Sequence, residues 1–154
     1  MNKIQLKLEL LASCDRDIEA ALAAARTAHE SASHEDNQPE NKYDTLALEA
    51  AYLAHGQSER ILQLQQEKIR LGRWEPLAFD DSSPIALGAL VTLEYEDEQR
   101  LVWITPGGGR QLMQDGQLVQ LVSAATPLAL ALIGKELDDE VVMAGKSWLI
   151  TAIV

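Results

Sequence analysis

The amino-acid sequence predicts an α+β protein with two parts: an N-terminal antiparallel pair of helices, and a C-terminal antiparallel β domain with one short helix. Up to residue 72, apolar side chains recur at alternating steps of three and four, the spacing of a helical seam. From residue 85 onward, short apolar runs rich in β-branched residues alternate with turn residues. We therefore expect a helical hairpin over 1–72, a linker over 73–84 and a β domain over 85–154.

The first helix is predicted over Asn2 to Ser33, a stretch that contains neither Gly nor Pro. Its many alanines favour helix formation and allow a neighbouring helix to come close. Two polar residues, Asp15 and His29, fall within the apolar series that we expect to form its seam. That series has the spacing of a coiled coil and consists of Ile4, Leu8, Leu11, Ile18, Leu22, Ala25 and Ala32.

The segment 34–44 is polar and acidic and is predicted to form the tip of the hairpin. Pro39 lacks an N–H and ends any continuous helix, so the second helix is expected to begin near Glu40 or Asn41. Gly56 costs this helix about 1 kcal/mol relative to Ala, which is tolerable if the backbone of the first helix comes close. The lengths match, so we expect the two helices to pair. The predicted seam of the second helix is Leu46, Ala50, Leu53, Gln57, Ile61, Leu64 and Leu71.

The β domain is predicted to contain two hairpins and one short helix. The helix is expected to begin at Pro127 with Thr126 as its cap, and to end at Gly134. Trp74 and Phe79 of the linker are expected to pack onto this domain. The predicted strands are 89–95, 100–104, 118–122, 141–143 and 147–154.

Composition excludes several classes of protein. The net charge of −11 gives no general attraction to nucleic acid or to an anionic membrane surface. The single cysteine, Cys14, cannot form an intrachain disulfide, which fits a reducing compartment. No signal peptide or membrane span is visible. We expect a cytoplasmic, monomeric protein without sequence-specific nucleic-acid binding of its own.

The segment from Ser123 to Val141, SAATPLALALIGKELDDEV, resembles the C-terminal signature of the bacterial GreA/GreB transcript-cleavage factors. That signature has Ser/Thr-Pro-Leu, small and apolar residues, Leu-Ile/Leu-Gly-Lys, and then an acidic turn before Asp/Glu-x-Val. The first half of the chain is also similar to this family. Glu40-Asn41 matches the Glu-Asn at the family's coiled-coil tip, and Ala47, Glu49 and Gly56 fit the helix that follows.

The resemblance implies a coiled coil, a C-terminal domain of FKBP-like fold, and docking on RNA polymerase with the coiled coil in the secondary channel. It also implies that two tip acids, Asp36 and Glu40 here, help to hold a Mg²⁺ ion in the polymerase active site. Carboxylate oxygens suit Mg²⁺, which needs only one or two protein ligands. Such a factor stimulates cleavage of backtracked transcripts by the polymerase and is not itself an enzyme.

The tip departs from the family pattern, and this leaves a second function open. Asn37 stands where the family has its first acid, and Asp36 lies one position earlier. The alternative is a channel-binding inhibitor or modulator of RNA polymerase that does not promote cleavage. A third possibility is an FKBP-like interaction module or peptidyl-prolyl isomerase, since a fold does not fix a function.

The remaining chemical groups favour structural roles. His29, His34 and His55 lack metal-ligand spacing, and Cys14 has only Arg16 as a basic neighbour, which favours a structural thiol. Pro106-Gly107-Gly108-Gly109-Arg110 lacks the ending of a phosphate-binding loop and is interpreted as a hairpin loop.

Overall fold

The computed structural model describes residues 1–33 and 45–154 and has an α+β fold with two long helices, a six-stranded sheet and one short helix. Two compact units are present. One is Leu11–Arg70, and the other combines Met1–Leu10 with Leu71–Val154. We call them the helical unit and the sheet unit. The boundaries that the sequence predicts for the helical hairpin, the linker and the β domain remain a prediction.

Helix α1 spans Lys3–Ser33 and helix α2 spans Thr45–Arg73. The side-chain oxygen of Asn2 accepts hydrogen bonds from the backbone N–H groups of Ile4 at 2.9 Å and Gln5 at 3.3 Å. These donors have no partner inside the helix, so Asn2 fixes where α1 begins.

Within the helical unit, the two helices run antiparallel. Lys68 of α2 lies 2.5 Å from the carboxylate of Asp15, near the start of this part of α1. Further along α1, Ala28 borders a groove together with Leu53 and Gln57 of α2. Later residues of α1 thus meet earlier residues of α2, as an antiparallel pair requires.

The seam predicted for α2 is confirmed from Gln57 onward. Leu64 and Leu71 are buried, and Gln57 and Ile61 are half-buried. Leu53, one step earlier in the series, is 60% exposed. It faces the small residues of α1, which are too short to cover it.

The seam predicted for α1 is wrong for Ile4, Leu8 and Leu22, which are 72%, 62% and 43% exposed. Three other members of the predicted series, Leu11, Ile18 and Ala25, are half-buried. Leucine and alanine occur on several sides of this helix, so the apolar spacing allows more than one register. The register that the structure adopts buries Leu6, Leu10, Cys14 and Ala28.

Gly56 does not mark a close approach of the helices. A Cβ atom at this position would meet no described atom within 4 Å apart from the backbone of its own helix. The expectation that the backbone of α1 comes close there is therefore wrong, and the glycine weakens α2 without a packing reason.

The sheet has the strand order β3-β4-β2-β1-β6-β5. Helix α3, Pro127–Leu132, lies in sequence between β4 and β5. All neighbouring strands are antiparallel except β2 and β4, which are parallel. The strands are β1 Leu90–Tyr95, β2 Glu98–Thr105, β3 Arg110–Gln114, β4 Gln117–Ser123, β5 Glu140–Met143 and β6 Lys146–Ile153.

Two details of the sheet differ from the sequence-based prediction. Strand β3 was not predicted, because only Leu112 and Met113 among its five residues are apolar. The parallel pairing of β2 with β4 also departs from the expected fully antiparallel sheet. It arises because β3 turns back through Asp115 and Gly116 and pairs with β4, so β4 runs in the direction of β2.

Both faces of the sheet are buried. On one face, Val102 and Ile104 of β2 pack with Trp148, Ala129 and Leu132 in the main core. On the other face, Leu101 and Trp103 alternate with them and are also buried. As expected, both aromatic side chains of the 73–84 segment pack onto the sheet: Phe79 against the main core and Trp74 against Trp103.

The start of α1 belongs to the sheet unit. The side-chain N–H of Gln114 in β3 donates to the backbone oxygen of Asn2 at 3.3 Å and to Gln5 Oε1 at 3.2 Å. Lys7 forms an ion pair with Glu75 at 3.1 Å. The first turns of α1 are thus held by residues far away in the sequence.

Candidate functional site

The predicted site residues Asp36 and Glu40, and Asn37 between them, lie outside the residues that the structure describes. What is described are the helix ends on either side, Ser33 of α1 and Thr45 of α2. The acidic segment therefore joins two helices that run antiparallel. The carboxylate donors in this segment fit Mg²⁺, which prefers oxygen ligands.

The described surface beside this segment is polar with scattered apolar groups. His29 and Glu30 of α1 and Glu49 of α2 are exposed. Leu48 and Tyr52 of α2 are also exposed, and they lie one helical turn apart on one side of the helix.

A groove of about 370 Å³ lies between the helices. Its α1 side consists of small residues, so the helices leave space instead of filling it with side chains. The buried Oε1 atom of Gln57 has no hydrogen-bond partner among the described residues, whereas Thr27 Oγ1 donates to the backbone oxygen of Ala23 at 3.1 Å. The groove is lined by Ala24, Thr27, Ala28, Ser31, Leu53 and Gln57.

Within residues 1–33 and 45–154, no group of three or more His, Cys, Asp or Glu side chains is placed to hold a metal ion. His55 lies 3.7 Å from Glu59 on the exposed surface of α2. Cys14, the single cysteine of the chain, is buried, in agreement with a structural role.

The glycine-rich loop after β2 contains a glycine that the close approach of another backbone segment requires. A Cβ atom at Gly108 would lie 2.5 Å from the backbone nitrogen of Ser123, so only glycine fits there. The hydroxyl of Thr105, which is fully buried, donates to the backbone oxygen of Gly107. The loop connects β2 to β3, which are not neighbours in the sheet, so the hairpin interpretation is wrong.

The signature segment forms α3 and its connection to β5. The side chain of Thr126 accepts a hydrogen bond from the backbone N–H of Ala129, and Pro127 begins the helix, both as predicted. After α3, Gly134 and Asp138 have φ values of +85° and +67°. The backbone N–H of Gly134 donates to Ile85 at 2.8 Å, which ties the end of the segment to the start of the sheet. The signature residues thus have clear structural roles.

The structure also reveals an unusual environment around Lys3. Its Nζ atom donates to the backbone oxygens of Leu77 at 2.5 Å and Gly88 at 2.9 Å, and lies 4.7 Å from the centroid of the Phe79 ring. Burial lowers the pKa of Lys3 to about 8. The amino-acid sequence carries no signal for this site, because the two acceptors lie more than seventy residues away from Lys3 in the chain.

The turn at Asp80 is a second local feature. The hydroxyls of Ser83 and Ser82 donate to Asp80 Oδ1 at 2.7 Å and 2.8 Å. These hydrogen bonds stabilise the charged carboxylate and lower the pKa of Asp80. The three residues form a closed, exposed turn.

Comparisons with known proteins give similar solved structures only. No protein-family model and no curated protein matches the chain. The structure of GreA factor homolog 1 from Thermus thermophilus is 20% identical over 97% of this chain and 93% of that chain, with a TM-score of 0.37. A structure of the transcription factor Gfh1 is 18% identical over 93% and 92% of the two chains, with a TM-score of 0.38. Both TM-scores are low, and we infer nothing about function from them.

None of the described helices is both long enough and apolar enough to cross a membrane.

Proposed function

We propose that this protein is a Gre-type elongation factor that binds bacterial RNA polymerase and stimulates cleavage of backtracked transcripts. One combination of features supports the proposal. Two antiparallel helices lead into the acidic segment with Glu40-Asn41, and the same chain carries the Gre-like signature from Ser123 to Val141. The resemblance of the signature would have little weight without the helices, because the signature itself contains none of the proposed metal-binding residues.

In this proposal the helical unit enters the secondary channel and the FKBP-like sheet unit docks on the outside of the polymerase. The carboxylates of Asp36 and Glu40 would bind Mg²⁺ together with the polymerase's own ligands. The bound ion supplies positive charge for hydrolysis of the transcript. The protein acts as a monomer in the cytoplasm and is an accessory factor, since its acids complete only part of a metal site.

A non-cleaving channel binder is the second candidate function, and Asn37 favours it. An amide carries no charge, and it binds Mg²⁺ more weakly than a carboxylate does. If Asp36, one position earlier, cannot replace the family's first acid as a Mg²⁺ ligand, the helices still enter the channel but do not complete the metal site. Such a protein inhibits or modulates the polymerase.

The deciding experiment uses purified, backtracked elongation complexes with Mg²⁺, with and without the protein. Shortened RNA that the polymerase can extend again supports cleavage stimulation. Absence of cleavage combined with competition against a known Gre factor supports the non-cleaving channel binder. If the protein neither promotes cleavage nor competes, the proposed function is wrong.

A further inference from the structure

Helix α2 carries a second series of side chains on the side that faces away from α1. The members follow each other at alternating steps of four and three, the spacing that a second helix matches. Gln57, which borders the groove to α1, and the buried Leu64 lie on the opposite side of α2. We call the series the outer stripe, and its members are all exposed: Leu48, Tyr52, His55, Glu59, Leu62, Gln66 and Ile69.

The two ends of the outer stripe are apolar. Tyr52 is 69% exposed, Leu48 and Leu62 are each 55% exposed, and Ile69 is 54% exposed. Single exposed apolar side chains are common, but four in one line along a helix form an apolar patch. From its first to its last member the outer stripe is about 32 Å long, at 1.5 Å per residue. Its length and spacing suit pairing with another helix.

The outer stripe is complementary to itself in an antiparallel pair. With a two-fold axis at the level of Gln57, residues equally far from this position on either side face each other across the two copies. His55 then faces Glu59 of the second copy, and this contact occurs twice. An imidazole N–H donates and a carboxylate accepts. On either side of this polar centre, Tyr52 faces Leu62 of the second copy, so an aromatic ring packs on an aliphatic side chain.

A parallel pair does not give this match. It would place Glu59 against the same carboxylate of the second copy, and His55 against the same imidazole. Two carboxylates at one level repel each other, whereas the antiparallel pair separates them along the helix axis. The polar centre of the outer stripe therefore selects both the antiparallel direction and the register.

Gly56 supports the same register independently. Within one chain this glycine weakens α2, and a Cβ atom there would meet no described atom within 4 Å apart from the backbone of its own helix. In the antiparallel pair, Gly56 and Ser58 lie on either side of the two-fold axis. Small residues beside the axis let two helices approach closely, because the distance between helix axes depends on the side chains at the contact. A second copy thus supplies the close approach that α1 does not.

We propose that the protein forms a reversible antiparallel dimer through the outer stripe of α2. One helix face per copy is smaller than the about 800 Å² per partner that is typical of stable complexes. We therefore expect weak pairing, with a dissociation constant of about 10–100 μM. In the dimer the outer stripe is covered, so the dimer is a resting form of the factor. This last consequence rests on the proposed function, whereas the pairing itself does not.

The test is sedimentation equilibrium of the full chain, without polymerase, at concentrations below and above the expected dissociation constant. The mass should rise from that of one chain towards that of two. Leu62→Asp should weaken pairing at least about tenfold, because it places two carboxylates against the tyrosine rings. Leu22→Asp is the matched control, since Leu22 is an exposed leucine of α1 outside the outer stripe, and pairing should be unchanged. A chain that stays monomeric at every concentration, or equal weakening by both variants, overturns the proposal.

A charge exchange tests the register. His55→Glu places a carboxylate opposite Glu59 of the second copy and should weaken pairing. The double variant His55→Glu, Glu59→Lys places a carboxylate opposite an ammonium group and should regain it. The helical circular dichroism signal checks that each variant is folded. Failure of the folded double variant to regain pairing contradicts the proposed register. Because polymerase is absent from these measurements, their failure leaves the proposed function untouched.

Discussion

The indole rings of Trp74 and Trp103 lie with their centroids 5.5 Å apart and their planes inclined by 45°. Trp103 is fully buried in β2, and its Nε1–H donates to the backbone oxygen of Gly88 at 3.2 Å. Trp74 follows the last residue of α2, Arg73. The pair therefore attaches the segment after α2 to one face of the sheet.

Trp74→Ala should lower the free energy of unfolding of the sheet unit by about 2 kcal/mol. This is less than the cost of truncating a fully buried tryptophan, because Trp74 is only half-buried. Urea denaturation measures the loss, and the fluorescence of Trp103 should shift to the red. The exposed Leu77 is the control position, where alanine should change stability by less than about 0.5 kcal/mol. Equal effects at both positions would mean that the ring contact does not stabilise the protein.

Leu64→Asp should unfold the helical unit, whereas Leu22→Asp should leave it folded. Leu64 is 3% exposed, so a carboxylate there loses its hydration without a partner, at a cost of about 3 kcal/mol or more. Leu22 is 43% exposed and can present a carboxylate to water. The helical circular dichroism signal distinguishes the variants. The opposite result would restore the seam that the sequence predicts for α1.

The seam of α2 was predictable and that of α1 was not, for a physical reason. In the later part of α2, Ile61, Leu64 and Leu71 form the longer apolar series, and the two remaining apolar residues, Leu62 and Ile69, are exposed. In α1, Ile4 and Leu8 compete with Leu6 and Leu10, and both series are apolar. Contacts with residues far away in the sequence decide which side of α1 is buried, and the apolar spacing carries no information about those contacts.

Strand β3 also could not be predicted from its own residues, because most of them are polar. The Asp115-Gly116 pair that follows the strand is nevertheless a strong hairpin signal. Both residues have positive φ, at 53° and 78°. The strand could have been found from the turn, but not from the strand residues themselves.

The candidate site was accessible to sequence analysis only through the family resemblance. Acids at the start of a helix are common and indicate no chemistry by themselves. Lys3 is the reverse case, since its properties come from the folded environment of Leu77, Phe79 and Gly88.

Gly56→Ala should stabilise α2 by up to about 1 kcal/mol. The added methyl group meets no described atom within 4 Å apart from the backbone of its own helix, and alanine reduces the backbone entropy lost on folding. The increase should be visible as a higher Tm. The matched control is Gly134→Ala, which also meets open space but must adopt a φ of +85° and should destabilise. Stabilisation at Gly134 or destabilisation at Gly56 would contradict this account.

Lys3 should make stability depend on pH in alkaline solution. Its pKa is about 8 in the folded protein against the ordinary lysine value of 10.5, so the unfolded chain binds more protons between these values. Stability contributed by this group therefore rises as pH increases from about 8 to 10.5. Relative to Lys3→Gln, the wild type should gain in Tm over this range. A difference in Tm that is constant with pH, measured by thermal denaturation, argues against the lowered pKa.

Glu40→Ala should abolish any stimulation of transcript cleavage while leaving binding to RNA polymerase nearly intact, and Asp36→Ala should weaken cleavage. Carboxylates that help to bind Mg²⁺ contribute to hydrolysis and little to docking. Glu49→Ala is the matched control, because it removes an exposed acid of α2 outside the tip. Asn37→Asp restores an acid at the family position and should increase cleavage. If Asn37→Asp has no effect and Glu40→Ala prevents polymerase binding, the acidic tip serves docking instead of metal binding.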